Sequence, residues 1–388
     1  MPNGISKNEE MMKKDWTIKK LGELCRIRTG KLDANAASPN GKYPFFTCSI
    51  TPLKIDSFSF DCECVLVAGN GDLNVKYYEG KFDAYQRTYI IESLDKSLLD
   101  VKYLYLFLSS YIDTLRKQAI GAIIKYIKLG NLTDANLPLP SLEEQKRIVA
   151  VLDKKFAQIE TLKTAAEKNL QNAKQLFQAE LEKAFSNTSW EKKRLGDCGT
   201  FKNGMNFAST ESGYSIHSLG VGDFKNLYKI ENTETLSEIS LNAAPSEEYL
   251  LKDGDIVFVR SNGNKELVGR CLLVYPKNIP TTYSGFCIRF RKDFDQLDAD
   301  FLLHFMKSDK SRKILNGKEG ANISNLNQKI LGDFEVPLPP LEEQKSIVAH
   351  LDSLSEKVHQ LEEIYTKQLA DCYEIKQAFL QKAFEGEL

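Results

Sequence analysis

Two glycine-containing loops carry side chains that could hydrogen-bond to the edges of nucleic-acid bases. Residues 69–72 (Gly-Asn-Gly-Asp) and 260–265 (Arg-Ser-Asn-Gly-Asn-Lys) each follow an apolar stretch, at 64–68 and 255–259. Glycine lets a backbone approach another surface closely, arginine forms two hydrogen bonds with guanine, and asparagine does so with adenine. These residue types favour base recognition, and an ordinary hairpin loop is the alternative. The candidates in and just after these loops are Asn70, Lys76, Arg260, Ser261, Asn262, Asn264 and Lys265.

Further candidates for DNA contact lie at matching places in the two halves of the chain. They precede strands predicted at 88–91 and 286–290, follow a Gly-Ala pair at 121–122 and 320–321, or lie beside Gly30 and Gly204. Lysines at such places would bind phosphate, which gives affinity without sequence information, and a solvated surface charge is the alternative. These candidates are Lys31, Lys81, Tyr85, Gln86, Arg87, Lys125, Tyr126, Lys202, Thr281, Tyr283 and Asn322.

Sequence patterns that support catalysis are missing. The chain has no G-x-x-x-x-G-K-[ST] loop for ATP and no N-P-P-[FY] or D-P-P-Y run, with which amino-methyltransferases hold a target base. A cofactor-binding turn at 69–71 is disfavoured, because strand-like residues at 75–78 follow where such a site needs a helix. The four histidines are dispersed, and no cysteine pair has metal-type spacing alongside a histidine. The sequence predicts a non-catalytic chain with no cofactor or metal of its own.

An internal repeat divides the chain into the elements that must position these loops. Residues 138–153 (PLPSLEEQKRIVAVLD) return at 337–352 (PLPPLEEQKSIVAHLD), identical at 13 of 16 positions. The same offset relates residues 178–185 to 377–384. A fainter repeat links the segments beginning at Trp16 and Trp190, so each half is a variable unit followed by a nearly invariant helix.

The repeated segments predict two long helices with an apolar seam. Apolar residues recur every three or four positions from Ile148 to Leu181 and from Ile347 to Phe379, a pattern typical of coiled coils. About 45 residues make a helix of roughly 65–70 Å. We expect the two helices to pair antiparallel around a pseudo-twofold axis and to offer two equivalent docking surfaces. Packing of each helix on its own domain is the alternative. The residues assigned to docking and to the coiled coil are Leu142, Glu143, Glu144, Gln145, Ile148, Leu152, Leu341, Glu342, Glu343, Gln344, Ile347 and Leu351.

The predicted fold class is α+β, with two globular domains separated by the two long helices. Short strands with glycine and asparagine turns accompany one helix in each variable unit, at 101–116 and 299–315. The predicted segments are a flexible N-terminus (1–14), a first domain (15–140), a first long helix (141–188), a second domain (189–336) and a second long helix (337–388).

Composition limits the compartment and leaves the partner open. The chain has 388 residues, and its formal net charge is −1, which neither supports nor excludes a nucleic-acid partner because the distribution of charge decides. The strongest apolar stretch, 98–108, is too short and too interrupted by charges to span a bilayer. Eight scattered cysteines favour reduced thiols in a cytoplasmic protein without a membrane partner.

Two variable domains, each closed by a P-L-P-x-L-E-E-Q-K-x-I-V-A-x-L-D helix, resemble the specificity subunit of type I restriction–modification enzymes. The resemblance extends from Trp16 to Phe384. It implies that each target-recognition domain binds one half of a split, asymmetric site in double-stranded DNA, and that the helices set the spacer. A scaffold that joins proteins without touching DNA is the alternative.

The resemblance also implies partners and their cofactors. Two methyltransferase subunits would dock on the chain and bring S-adenosylmethionine, and two restriction/translocase subunits would bring ATP hydrolysis with Mg²⁺. The specificity subunit itself would catalyse nothing.

Overall fold

The computed structural model describes residues 16–224, 228–315 and 325–388. These residues form two compact units, one comprising the residues up to 167 with 366–388, the other 168–365. Each unit therefore contains one variable domain and a part of both long helices. The predicted N-terminal segment 1–14, the candidate Asn322 and the side chain of the candidate Lys265 lie outside the described residues.

The first domain is a six-stranded sheet with one long helix packed on it. The strand order is β2-β7-β5-β6-β3-β4, with β3 parallel to β6 and the other neighbours antiparallel. The apolar stretch at 64–68 belongs to the central strand β5 and is buried, as its composition predicts. The elements are β1 (Thr17–Lys20), α1 (Leu21–Leu24), β2 (Cys25–Thr29), β3 (Tyr43–Phe46), β4 (Leu53–Ile55), β5 (Phe60–Ala68), β6 (Val75–Ala84), β7 (Thr88–Ser93), α2 (Val101–Gln118), α3 (Leu129–Thr133), β8 (Asn136–Leu139) and the long helix α4 (Leu142–Ala184).

The second domain distributes its strands over a five-stranded and a three-stranded sheet. Their orders are β10-β17-β14-β15-β12 and β13-β11-β16, and β9 pairs with β18. The elements are β9 (Lys192–Arg194), β10 (Gly199–Asn203), β11 (Tyr214–Leu219), β12 (Lys229–Ile230), β13 (Glu238–Leu241), β14 (Asp255–Val259), β15 (Cys271–Val274), β16 (Thr281–Tyr283), β17 (Cys287–Lys292), α5 (Ala299–Lys307), α6 (Asp309–Leu315), α7 (Gln328–Gly332), β18 (Glu335–Pro337) and the long helix α8 (Leu341–Glu385).

The strand pairing of the first domain recurs in the second with one interruption. Strand β14 pairs with β17 and β15 as β5 pairs with β7 and β6. Strand β11 pairs antiparallel with β13 and parallel with β16, as β3 pairs with β4 and β6. Pro276 and Pro280 lie between β15 and β16, and proline cannot donate a ladder hydrogen bond. The single strand β6 therefore corresponds to two strands in the second domain.

The helix predicted at 299–315 is broken in two. Ser308 has an extended backbone (φ −64°, ψ 150°) and follows α5 directly. Its hydroxyl accepts a hydrogen bond from the Ser311 amide at 3.2 Å, as a helix-capping serine does, so α6 starts as a new helix. In the first domain the corresponding helix α2 is continuous through Gln118, two residues beyond the predicted end.

The long helices confirm the predicted seam. The Ser141 hydroxyl accepts a hydrogen bond from the Glu144 amide at 3.3 Å, as expected at the first turn of α4. Buried positions then recur at intervals of seven residues, the spacing of a coiled-coil seam, with one half-buried position, Tyr365, in α8. They are Gln145, Leu152, Ile159, Ala166 and Ala173 in α4, and Gln344, Leu351, Val358 and Cys372 in α8.

Within each unit the two long helices run antiparallel. In the first unit the beginning of α4 meets the end of α8, because Ile148 and Leu152 share a core with Leu380 and Phe384. In the second unit the end of α4 meets the beginning of α8, since Leu181 shares a core with Leu351. Each helix pair also packs on its own domain, so the two packing alternatives of the sequence both occur.

Neither membrane-spanning nor metal-binding features occur among the described residues. In these ranges no helix combines the length and the apolar character needed to cross a bilayer. No group of three or more His, Cys, Asp and Glu side chains there is arranged to hold a metal ion. All eight cysteines are free thiols.

Candidate nucleic-acid interface

Four sequence-distant segments of the first domain meet in one place, which we term the first loop cluster (residues 30–32, 69–72, 85–87 and 120–126). The Gly69 amide donates to the Arg87 carbonyl at 2.7 Å, and the Gln86 amide donates to the Leu32 carbonyl at 2.9 Å. The Gly71 amide donates to the Lys125 carbonyl at 2.9 Å. Backbone hydrogen bonds thus tie together loops that are nearly 100 residues apart in sequence.

Seven of the candidates in the first domain lie in this cluster. The side chains of Lys31, Gln86, Arg87 and Lys125 are exposed, and no ion pair involving these three cations occurs among the described residues. Arg87 and Gln86 also line a recess of about 300 Å³ beside Gly69. The cluster therefore presents hydrogen-bond donors and positive charge together. Its members are Lys31, Asn70, Tyr85, Gln86, Arg87, Lys125 and Tyr126.

Gly69 is required by the close approach of two loops. A Cβ atom there would lie 2.4 Å from the Arg87 carbonyl oxygen, which no side chain tolerates. The sequence analysis predicted that glycine lets this backbone approach another surface closely, and this holds for Gly69. The surface approached is the neighbouring turn of the same domain.

Two candidates of the first domain lie on strands outside the cluster. The ammonium of Lys76 donates to the side-chain carbonyl of Asn74, and burial lowers the pKa of Lys76. Lys81 is exposed on β6, opposite Asp61, with its ammonium 4.7 Å from the centre of the Phe58 ring. These lysines have local partners, and we leave them out of the cluster.

The second domain builds a corresponding cluster, which we term the second loop cluster (residues 203–206, 260–264, 284–286 and 325). The Arg260 amide donates to the Phe286 carbonyl at 2.8 Å, matching the bond between Gly69 and Arg87. The Leu326 amide donates to the Arg260 carbonyl at 2.8 Å, matching that from Ile127 to Gly69 at 2.9 Å. The two clusters share a backbone frame and differ in their side chains.

The Arg260 loop is shaped by its own side chains. The side-chain carbonyl of Asn262 accepts from the Asn264 amide at 2.8 Å, and that of Asn264 accepts from the Glu266 amide at 3.1 Å. The guanidinium of half-buried Arg260 donates to the Gly285 carbonyl at 3.3 Å, and Ser261 is half-buried next to it. These hydrogen bonds fix the shape of the loop. Among the described residues, neither asparagine donates a hydrogen bond through its side-chain amino group, so both groups could donate to a ligand.

Two candidates of the second domain are corrected by the structure. Thr281 and Tyr283 are fully buried, because β16 lies inside the core against β11. The Tyr283 hydroxyl donates to the Lys202 carbonyl at 3.3 Å, and the Thr281 hydroxyl donates to the Thr233 hydroxyl at 2.9 Å. The polar groups of both residues are satisfied inside the domain, so they are structural residues.

Lys202 stays a candidate for phosphate contact. Its ammonium forms an ion pair with Glu248 at 2.7 Å on the surface of the domain, where both side chains are partly exposed.

The motif glutamines, assigned to docking from the sequence, are also buried. The Gln145 side chain accepts from the Asp100 amide at 2.9 Å and donates to the carbonyls of Leu98 and Pro140 at 2.9 and 3.0 Å. It therefore joins α4 to the start of α2 in its own domain. A fully buried side chain with this many partners is unavailable to another protein.

Gln344 makes the same joint in the second domain. It accepts from the Asp298 amide at 2.8 Å and donates to the carbonyls of Gln296 and Pro339 at 2.7 and 2.8 Å. Both glutamines were assigned to docking and to the coiled coil, and their burial rules out docking through these two side chains. We term these two networks the glutamine joints.

The other residues assigned to docking divide into packed and exposed groups. Ile148, Leu152 and Leu351 are buried, and Ile347 packs at the edge of the second core. Glu143, Glu342 and Glu343 are exposed, and Glu343 accepts from the Trp190 indole at 3.3 Å. Leu142, Leu341 and Glu144 are half-buried, with Glu144 paired to Arg147 at 2.7 Å. Of the residues assigned to docking and to the coiled coil, only Glu143, Glu342 and Glu343 are exposed at the helix starts.

A hydrogen-bonded contact between α5 and α8 was missed by sequence reasoning. The Nε2 atom of buried His304 lies 2.7 Å from a carboxylate oxygen of Asp352, and Lys229 lies 2.6 Å from Asp300 and 3.4 Å from Asp352. The hydrogen bond with His304, together with the charge of Lys229, lowers the pKa of Asp352. The corresponding residues of the first domain are buried Leu106 and exposed Asp153, so this contact is specific to the second.

Comparison with known sequences gives a consistent family. The sequence model described as the type I restriction modification DNA specificity domain matches residues 13–171 and 187–369. The EcoDI specificity subunit of Escherichia coli is 32% identical over 404 residues, covering 96% of this chain and 89% of that protein. The StySPI specificity subunit of Salmonella potsdam is 30% identical over 302 residues, covering 72% of this chain and 63% of that protein.

Comparison with solved structures gives the same fold. A chain from a study of assembly and conformational transition in a type I restriction–modification system aligns with a TM-score of 0.75 at 19% identity, covering 97% of this chain and 99% of that one. The HsdS subunit from Thermoanaerobacter tengcongensis aligns with a TM-score of 0.53 at 19% identity, covering 97% and 98%. Two domains with two long helices are thus a shared architecture.

Proposed function

The chain belongs to the family of type I restriction–modification DNA specificity subunits, the non-catalytic DNA-recognition components of these systems, and on that premise we propose that each domain binds one half of a bipartite, asymmetric DNA site. The observation that carries the proposal is the pair of loop clusters. One backbone frame displays different side chains in the two domains. Because the two clusters share their backbone arrangement, they suit the same kind of ligand. Because their side chains differ, they suit different base sequences.

The chemistry of each cluster supports contacts with both bases and phosphates. In the first, Arg87 and Gln86 can reach base edges, while Lys31 and Lys125 supply positive charge for the backbone. In the second, Arg260 and the amino groups of Asn262 and Asn264 are the base-reading candidates. Loops fixed by backbone hydrogen bonds lose little freedom on binding, which favours specificity.

The long helices would set the spacer between the half-sites. Helices of 43 and 45 residues are about 65–70 Å long. That length corresponds to about two turns of B-DNA at roughly 34–36 Å per turn. A rigid spacer made of two paired helices would fix the number of unread base pairs.

The helices would also carry the partner subunits. Two methyltransferase subunits would dock at the two similar helix starts, where Glu143 and Glu342 are exposed, and would bring S-adenosylmethionine. Two restriction/translocase subunits would complete the assembly and bring ATP hydrolysis with Mg²⁺. Repetition of the helix-start sequence supports two equal docking places.

A genome-wide map of methylated adenines tests the proposal. Cells would express the cognate methyltransferase subunit with and without this chain. We expect a split, asymmetric motif that appears only when the chain is present. An unchanged map would overturn the proposal and favour a protein scaffold that does not read DNA.

A further inference from the structure

Each loop cluster displays large apolar side chains to solvent. Ile123 is 96% exposed and Ile124 is 60% exposed in the first cluster, and Phe286 is 59% exposed in the second. An exposed apolar residue alone means little, because protein surfaces contain many. These three lie among the polar and cationic residues proposed to contact DNA, and they are the most exposed large apolar side chains of the clusters; Ile120, at the base of the same hairpin, is 44% exposed.

The hairpin that carries the two isoleucines is rigid. Ile120 and Tyr126 close it with backbone hydrogen bonds of 3.0 and 2.9 Å. Gly121 has φ +118°, and a Cβ atom there would lie 2.3 Å from the Ile124 carbonyl oxygen, so the turn depends on glycine. A β-branched side chain on a fixed turn has few rotamers. Ile123 is thus presented in a defined position, and its ordering on binding costs little.

Phe286 is fixed in a comparable way beside Arg260. Its amide donates to the Ser284 hydroxyl at 3.3 Å, and its carbonyl accepts from the amides of Arg260 and Ser261 at 2.8 and 3.4 Å. The backbone of Phe286 therefore lies beside that of Arg260, whose guanidinium donates to the neighbouring Gly285 carbonyl at 3.3 Å, and the Phe286 side chain is exposed to solvent. Phe286 occupies the place that Arg87 holds in the first cluster.

The surroundings favour DNA as the ligand of these apolar side chains. Lys31, Arg87 and Lys125 form no ion pair among the described residues, and all three belong to the loop cluster that contains the isoleucine hairpin. A polyanion fits that charge. On the edges of DNA bases, the apolar group accessible in the major groove is the 5-methyl of thymine.

We propose that Ile123, assisted by Ile124, contacts a thymine 5-methyl group in the first half-site, and that Phe286 does so in the second. The proposal rests on the proposed function, since it requires each domain to bind its own half-site. It adds that both half-sites contain a T·A pair read through an apolar contact, in addition to hydrogen bonds from the neighbouring polar side chains.

Substitution of single thymines by uracil tests this contact, because uracil lacks only the methyl group. The complex of the chain with its methyltransferase subunits would be titrated with duplexes carrying the mapped site. We expect one uracil position in each half-site to weaken binding about three- to fivefold, the effect of one buried methyl-sized group. The Ile123→Ala chain should bind thymine and uracil equally in the first half-site and keep the wild-type response in the second. Phe286→Ala should show the converse.

Leu94→Ala is the matched control. Leu94 is 63% exposed in the first domain and follows β7, at the end of that strand away from the cluster. Its substitution should leave both uracil responses at their wild-type size. Circular dichroism melts of all variants should coincide, because exposed side chains contribute little to stability.

Several outcomes would overturn the contact while leaving the proposed function intact. These are specific binding without any uracil response, or an Ile123→Ala chain as sensitive to uracil as wild type. An Ile123→Ala chain that fails to assemble with the methyltransferase subunit would assign the hairpin to protein docking instead. A chain that directs no methylation at all would sink the proposed function itself.

Discussion

Arg87 and Arg260 supply the guanidinium groups of the two loop clusters from non-equivalent positions. The backbone hydrogen bond from the Gly69 amide to the Arg87 carbonyl corresponds to the bond from the Arg260 amide to the Phe286 carbonyl. The arginine is therefore the acceptor residue in the first domain and the donor residue in the second. Chemistry at single positions has therefore changed while the backbone contact has persisted. Under the proposed function, the target sequence depends on such positions.

Substitution of these arginines should change one half-site at a time. Arg87→Ala should relax or abolish recognition of the first half-site, and Arg260→Ala that of the second, each by about 1–3 kcal/mol for a lost two-pronged base contact. Adenine-methylation maps of cells expressing each variant would show which half of the motif changes. Equal changes in both halves, or none, would contradict the assignment.

Sequence reasoning identified the loop residues better than those on strands. Asn70, Gln86, Arg87 and Arg260 lie in the clusters because glycine turns and polar residues mark loops. Tyr283 was misassigned because a tyrosine before a strand looks the same whether its ring points outward or into the core. The exposed Phe286 was also missed, because a hydrophobic side chain is expected to be buried.

At the scale of elements, the glutamine joints connect each long helix to its domain. A Gln344→Glu substitution keeps the shape but replaces two donated hydrogen bonds by a carboxylate facing two carbonyl oxygens. We expect a loss of about 1–3 kcal/mol for the unsatisfied buried groups and a melting temperature lower by several degrees. Thermal unfolding followed by calorimetry would measure it. Gln368→Glu, on the exposed surface of the same helix, should have no effect.

The contact between His304 and Asp352 predicts a pH dependence confined to the second domain. The pKa of Asp352 is lowered in the folded chain, so its contribution to stability is present above the unfolded value, near 3.9, and is lost as pH falls through the folded pKa. Urea unfolding should show Asp352→Asn less stable than wild type at pH 5 and above, with the difference shrinking below about pH 4. Asp153→Asn, the exposed counterpart, should match wild type throughout.

Helices and strands were predicted well where a hydrophobic pattern repeats over many residues. They were predicted poorly where their ends depend on one or two residues. The seam from Ile148 to Leu181 and its counterpart in α8 each repeat over more than 30 residues, which no local effect can mask. The break at Ser308 depends on one hydroxyl that caps a new helix. The split of one strand into β15 and β16 depends on two prolines whose effect on pairing is visible only beside the first domain.

At the scale of the whole molecule, each compact unit needs both halves of the chain. Leu380, Ala383 and Phe384 of α8 complete the core around Ile148 and Leu152 of α4. In α4 the residues matching these three in the repeat are Leu181, Ala184 and Phe185. A second copy of the first half could therefore supply the missing surface.

A fragment ending at residue 186 should consequently form a homodimer through antiparallel α4 helices. Light scattering coupled to size-exclusion chromatography should give twice the fragment mass. The double substitution Leu181→Ala with Phe185→Ala should weaken the dimer, whereas Leu176→Ala, an exposed position on α4, should not. A stable monomeric fragment would show that α4 and the first domain bury the seam alone.

The glutamine joints have a consequence for inheritance. Among the described residues, each glutamine bonds only to backbone groups of its domain, so this hydrogen-bond network does not depend on which side chains that domain carries. A domain of different sequence but equal backbone course can therefore keep the same joint to the helix, provided that its core still fits the apolar helix residues. Recombination between genes that share the nearly invariant helix sequences could then replace one domain in a single event, and a lineage would acquire a new specificity from an intact donor domain.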